Sequence, residues 1–324
     1  MEFFNPSILN HRFARPILYA LLIAVSVPIL APYVRSALPY NGFDVDGALV
    51  PVEQILQGGP PRDGIPAIDK PEFISPAEAD FLQDQDRVLG IHLNGIKKAY
   101  PIKILNHHEI VNDRFGNRKI VVTFCPLCGT GIAFAPEVNG ETLQFAVSGL
   151  LYNSDMLFYD RKTDSLWSQI LGKAISGPLR GSRLRTLPVT HTTWIDWRSR
   201  HPATMVLSTR TGFLRNYQRS PYGDYTSNND IYFPINHQSR RYHPKERVIG
   251  IEVNGKFRAY PFSELGKTSG RIVERFNGIT VSITFDKING SGHVESLGKP
   301  VQQMTAFWFA WYAFHPDTSV FTSP

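Results

Sequence analysis

Three features of this 324-residue chain predict a mainly β, β-rich α+β fold: a turn-rich composition, repeated Asn-Gly pairs, and an internal repeat. Gly 25 and Pro 24, with aromatic residues at 12%, exceed what long helices tolerate and suit strands joined by tight turns. Hydrophobic residues at 42% against 19% charged supply a folded core and too little charge for a disordered chain. The predicted architecture is two duplicated antiparallel hairpin units with short helices, the first unit enlarged, packed as one elongated body.

The chain opens differently from the rest. His11, Arg12 and Arg15 precede an apolar stretch from Pro16 to Val34, the order of an export signal. Pro28 and Pro32 interrupt its second half, so residues 1–37 read as a signal peptide or an N-terminal membrane anchor. The expected location is extracytoplasmic, in the periplasm or at the cell surface, with membrane contact through this segment only. Residues 38–74 read as an extended lead-in.

An internal repeat divides the remainder of the chain. Arg87–Leu105 (RVLGIHLNGIKKAYPIKIL) matches Arg247–Leu265 (RVIGIEVNGKFRAYPFSEL) at ten of nineteen positions without a gap. Glu109–Phe124 corresponds to Arg271–Phe285, which sets His108-Glu109 against Gly270-Arg271. Trp194-x-x-Trp197-x-x-x-His201-Pro202-x-Thr204 returns as Trp308-x-x-Trp311-x-x-x-His315-Pro316-x-Thr318. The first unit is placed at 75–210 and the second, shorter one at 240–324, joined by a Tyr-, Asn- and Pro-rich stretch at 211–239. Asn94-Gly95 and Asn254-Gly255 supply the positive backbone angles of two-residue hairpin turns. Gly116-Asn117, Asn277-Gly278 and Asn139-Gly140 mark further hairpins, and Asp160–Thr163 another turn. The Trp-x-x-Trp pieces read as short helices halted before a His-Pro pair, their indoles serving as core anchors.

Chemistry is expected where the copies differ. Between the Cys pair and Trp194 the first copy carries about 47 residues more than the second. That segment starts at Cys125-Pro126-Leu127-Cys128-Gly129, where the second copy has Asp286-Lys287-Ile288-Asn289. Two thiolates spaced by two residues converge on one ion, and the glycine lets backbone amides face the sulfurs. A hairpin centred on Gly116 sets His108 opposite Phe124 and His107 opposite Cys125, give or take one residue, so one imidazole is expected beside the sulfurs. The metal ligands read from the sequence are therefore Cys125, Cys128 and His108 or His107, with Asp155, His191, Glu109 or water as the fourth. The ion would be zinc, copper or iron. Two cysteines cannot build a four-cysteine cluster. A thiol–disulfide oxidoreductase using Cys125 and Cys128 is the alternative, although Gly129–Phe134 reads as a returning strand and not as the helix such sites need. A disulfide closing a tight turn and a noncatalytic carbohydrate-binding or structural module based on the tryptophans are the remaining readings.

Net charge is +6, part of it at the N-terminus, and the Lys and Arg residues are scattered among acids. Arg240, Arg241, Lys245 and Arg247 form a local cluster read as a solvated loop, so no nucleic-acid partner is expected. No Walker or dinucleotide-binding glycine motif occurs.

The segments NHHEIVND (Asn106–Asp113), VTFCPLCGTGIAF (Val122–Phe134), FAVSGLLYNSDMLFYDRKTDSLWSQ (Phe145–Gln169), HPKERVIG (His243–Gly250) and AFWFAWYAFHPDTSV (Ala306–Val320) together resemble domain of unknown function 3179. The resemblance runs from about Asp69 to the C-terminus. It implies an exported or membrane-anchored prokaryotic protein of unassigned activity. It also implies a Trp in many relatives where this chain has His107, which favours His108 as the ligand.

Overall fold

The computed structural model describes residues 39–297 and 301–324. The reading of residues 1–37 as a signal peptide or membrane anchor lies outside them; among the described residues no helix is long and apolar enough to cross a membrane.

The protein is mainly β, and five sheets are arranged as a five-bladed β-propeller. Blade 1 orders its strands Thr190–Thr193, Arg87–Leu93, Ile96–Pro101, Met205–Leu207 and Phe73–Ile74. Blade 2 orders Arg185–Leu187, Thr130–Ala135, Arg118–Cys125 and Ile110–Phe115. Blade 3 orders Ile55–Gln57, Phe145–Tyr152, Asp155–Asp160, Leu166–Ser168 and Lys173–Ala174. Blade 4 orders Gln302–Phe307, Arg247–Val253, Lys256–Pro261 and Ser319–Val320, and blade 5 orders Arg271–Phe276, Ile279–Asp286 and Ser291–Ser296.

This corrects the expected elongated pair of self-contained units. The matched sequences lie on matched sheets, blade 1 with blade 4 and blade 2 with blade 5, and the extra residues of the first copy furnish most of blade 3. A hairpin pattern reports only local pairing, whereas closure into a ring depends on contacts distant in sequence. One such contact is the pairing of Ile55–Gln57 with Leu150–Tyr152.

The Asn-Gly turns fall where expected, with Asn94, Asn139, Asn254 and Asn277 all at positive φ. Helix α1 spans Ile102–His108, α2 Trp194–Arg200, α3 Phe262–Leu265 and α4 Trp308–Phe314. The Trp-x-x-Trp pieces are α2 and α4, and their cores are built alike. The Trp197 ring lies on Gly90 and that of Trp311 on Gly250. Their indole N–H groups donate to Thr204 Oγ1 at 2.9 Å and Thr318 Oγ1 at 3.0 Å. His201 and His315 end the two helices and rest on the second Trp of each. The Tyr-Pro pairs are architectural too: Tyr100 donates to Asp113 Oδ2 at 2.5 Å, beside the buried Lys98–Asp113 ion pair, and Tyr260 donates to Glu274, beside Arg258.

Candidate metal centre

Cys125 ends its blade 2 strand and pairs with Thr130 across the turn Pro126–Gly129. The same turn occurs in blade 5, where Asp286 pairs with Ser291 and Gly290 takes the positive φ that Gly129 takes here. There the turn satisfies itself: Asp286 accepts from the backbone N–H of Ile288 at 2.9 Å and of Asn289 at 3.1 Å, and from the Asn289 amide at 2.6 Å. Cysteines replace both polar side chains in blade 2, so the same backbone geometry points two sulfurs at each other.

Blade 3 supplies the third group. Asn153 and Ser154, at φ 53° and 65°, form the tight turn between strands Phe145–Tyr152 and Asp155–Asp160, and the chain leaves it through Asp155. Asn153 anchors the turn, accepting from Asn236 N at 2.8 Å and donating to Ala313 O at 3.3 Å. One oxygen of Asp155 and the sulfurs of Cys125 and Cys128 all lie within 4.8 Å of one another, and all three residues are buried. Both cysteines are free thiols.

The surroundings favour neutral, protonated groups. Burial pushes both thiols up, Cys128 well above its ordinary value, with the Asp155 charge adding to the effect. Burial likewise raises Asp155 to about 7 against the hydrogen bond its Oδ2 accepts from Ile170 N at 3.1 Å. The Cys128 thiol donates to Ser154 O at 3.3 Å. Among the described residues, buried side-chain polar atoms without a hydrogen-bond partner include Asp155 Oδ1, Ser154 Oγ and the Tyr225 hydroxyl. Burial and then the Cys128 and Cys125 charges raise the Tyr225 pKa, which puts that hydroxyl in the same electrostatic neighbourhood. The Lys245 ammonium sits 3.6 Å from the Tyr225 ring centre. Lys245 is buried, which corrects its reading as part of a solvated loop. Behind the sulfurs, Gln169 joins the two blades. It accepts from Thr130 Oγ1 at 2.5 Å and donates to Thr123 Oγ1 at 2.9 Å.

The histidines are not with the sulfurs. Blade 2 pairs Ile110 with Thr123, one position from the predicted register, but that strand begins only at Ile110. His107 and His108 belong to α1, and Glu109, at φ 58°, turns the chain between helix and strand. His108 Nδ1 donates to Pro66 O at 2.8 Å, and Nε2 accepts from the Tyr217 hydroxyl at 2.7 Å. Burial lowers its pKa to about 4, in keeping with a neutral ring whose nitrogens are both engaged. His107 Nε2 donates to Arg219 O at 3.0 Å. His191 lies edge-on to Phe124, its pKa held well below the ordinary value by burial and by the charges of Arg87 and Arg247. Of the four candidates for the remaining ligand, Asp155 is the residue brought to the cysteines.

Glu109 is buried and accepts from the Tyr222 hydroxyl at 3.0 Å. Burial raises its pKa to about 7. A folded-state pKa above the unfolded value near 4.5 gives stability that is complete below about pH 4.5 and lost as pH rises through 7. Glu109→Gln removes this loss. Between pH 4.5 and 8 its stability relative to wild type should therefore rise by about 2–3 kcal/mol in urea unfolding, and a pH-independent difference would contradict the assignment.

Sequence reasoning missed Tyr222 and Tyr225, which come from 211–239. That stretch packs across the site, its Tyr222, Ile231, Phe233 and Ile235 lying against the main core. Its tyrosine content was the available signal, since an exposed connector has no use for so many large rings.

A family described as a protein of unknown function (DUF3179) matches residues 62–294. No curated protein and no solved structure matches the chain.

Proposed function

The chain belongs to the DUF3179 family, whose description assigns no activity, and we propose from the chemistry of the site that it binds one transition-metal ion through Cys125, Cys128 and Asp155. One observation carries this reading: three ligand atoms from two different blades, all of buried residues, lie within 4.8 Å of one another. The carboxylate brings an oxygen, Oδ1, whose only side-chain neighbours for a hydrogen bond are the two thiols themselves. Two thiolates and a carboxylate suit zinc or ferrous iron better than magnesium or calcium, and three protein ligands leave a coordination position for water or a small ligand. Three negative ligands around a divalent ion leave a net charge near −1, which the Lys245 ammonium helps to offset.

The thiol–disulfide reading has less support. It asks for an accessible sulfur with a lowered pKa at a helix N-terminus. Cys125 and Cys128 are 1% and 0% exposed, are shifted upward, and lead into a strand. A carbohydrate platform has none either, because all five tryptophans are buried. The basic-then-apolar start supports an extracytoplasmic location, where a bound ion would keep the thiols from oxidising.

Elemental analysis of protein purified under reducing conditions should find about one equivalent of a transition metal. Cobalt substitution should give thiolate charge-transfer bands that Cys128→Ser weakens by about half. Less than about a tenth of an equivalent of any such metal, with both thiols titrating as free, would overturn the proposal.

A further inference from the structure

Glu109 stands at a place where the fold asks for another residue. Its carbonyl accepts from Phe124 N at 2.8 Å, and in blade 5 the carbonyl of Gly270 accepts from Phe285 N at 2.7 Å. Gly270, at φ 91°, is thus its counterpart, one position from the alignment read off the sequence. Left-handed backbone costs a glycine nothing and a glutamate about 1 kcal/mol or more. No ion pair compensates, since among the described residues no Lys or Arg lies within ion-pair distance of the carboxylate.

Glu109 instead lines a cavity of about 210 Å³ together with Tyr222, whose hydroxyl its carboxylate accepts from. The other walls are mostly apolar, among them Ile65, Leu150 and Leu157, with Tyr222, Tyr232 and Phe233 of 211–239 at one side. Leu127, between the two cysteines, and Met156, next to Asp155, also line it, so the cavity backs onto the metal centre.

We propose that this cavity binds a small apolar amine, with the ammonium against Glu109 and the hydrocarbon body on the aliphatic walls. A buried carboxylate that no protein cation meets calls for a cationic partner and repels an anion. A cavity of about 150 Å³ holds benzene, so one of this size takes roughly eight non-hydrogen atoms, the size of benzylamine. The inference goes beyond the metal reading and does not need the ion.

Calorimetric titration of the full chain at pH 8 with benzylamine, benzyl alcohol and benzoate tests it, since the three probes share a ring and differ in charge. Benzylamine should bind at least tenfold more tightly than benzyl alcohol, and benzoate should not bind. Glu109→Gly restores the residue that blade 5 uses, so the variant should fold, retain its metal, and lose the preference for the amine. Cys128→Ser should keep it, which separates this proposal from the metal reading. Equal affinity for amine and alcohol in the wild type, or an amine preference that survives in folded Glu109→Gly, overturns the proposal.

Discussion

Gly90→Ala should cost about 3–5 kcal/mol, a large share of the stability of an ordinary domain. A Cβ at Gly90 would stand 2.2 Å from the Trp197 ring, and one at Gly250 would stand equally close to Trp311. Neither indole can retreat, because each is buried with its N–H bonded to a threonine. The added methyl must therefore displace a tryptophan, and the loss approaches that of deleting the ring. Gly95→Ala is the control: it meets nothing within 4 Å and bears only the strain of its φ of 76°, about 1 kcal/mol. Urea midpoints of Gly90→Ala, Trp197→Leu and the double variant should show strong non-additivity, since removing the ring removes the clash. Additive costs would mean that the ring does not hold Gly90 in place.

Asp155→Asn should push stability and metal binding in opposite directions. In the metal-free protein the buried carboxyl is a liability above pH 7, because its pKa is raised by burial and one oxygen has no partner. The raised value gives stability that is present below about pH 4 and lost as pH rises through 7, so the amide should make the metal-free chain more stable at pH 8. It removes an anionic ligand, however, and should weaken metal binding by at least about a hundredfold. In the wild type, chelation at a metal concentration of about a thousand times Kd should remove about 4 kcal/mol of stability. Under the same conditions a variant weakened a hundredfold should lose only about 1.4 kcal/mol to chelator. A wild type that ignores chelator, or a variant that responds as strongly as the wild type, would count against Asp155 as a ligand.

Much of the local structure was legible in the sequence. Asn-Gly turns, Trp-x-x-Trp helices and the return to a strand after Gly129 arise from backbone preferences within a few residues of each other. The Cys pair was legible as a site because its counterpart in blade 5 closes the same turn with Asp286 and Asn289. What failed was extrapolation past an element boundary. The hairpin register held to within the one position allowed for it, yet it was carried through Glu109, where a positive φ ends the strand and places His107 and His108 on a helix. Asp155 had no sequence signal beyond its membership of the enlarged segment, because it reaches the sulfurs through the packing of two blades. The tyrosines of 211–239 were hidden for the same reason: a segment without periodicity gives no sign of the surface it will cover.

Residues 211–239 bring Tyr225 into the core cluster that holds both cysteines, and Phe307 N covers the turn by bonding to Cys128 O. Exchange of an ion bound there should be tied to how often that cover lifts, so chelator should act on the folded chain slowly, at the rate of local opening.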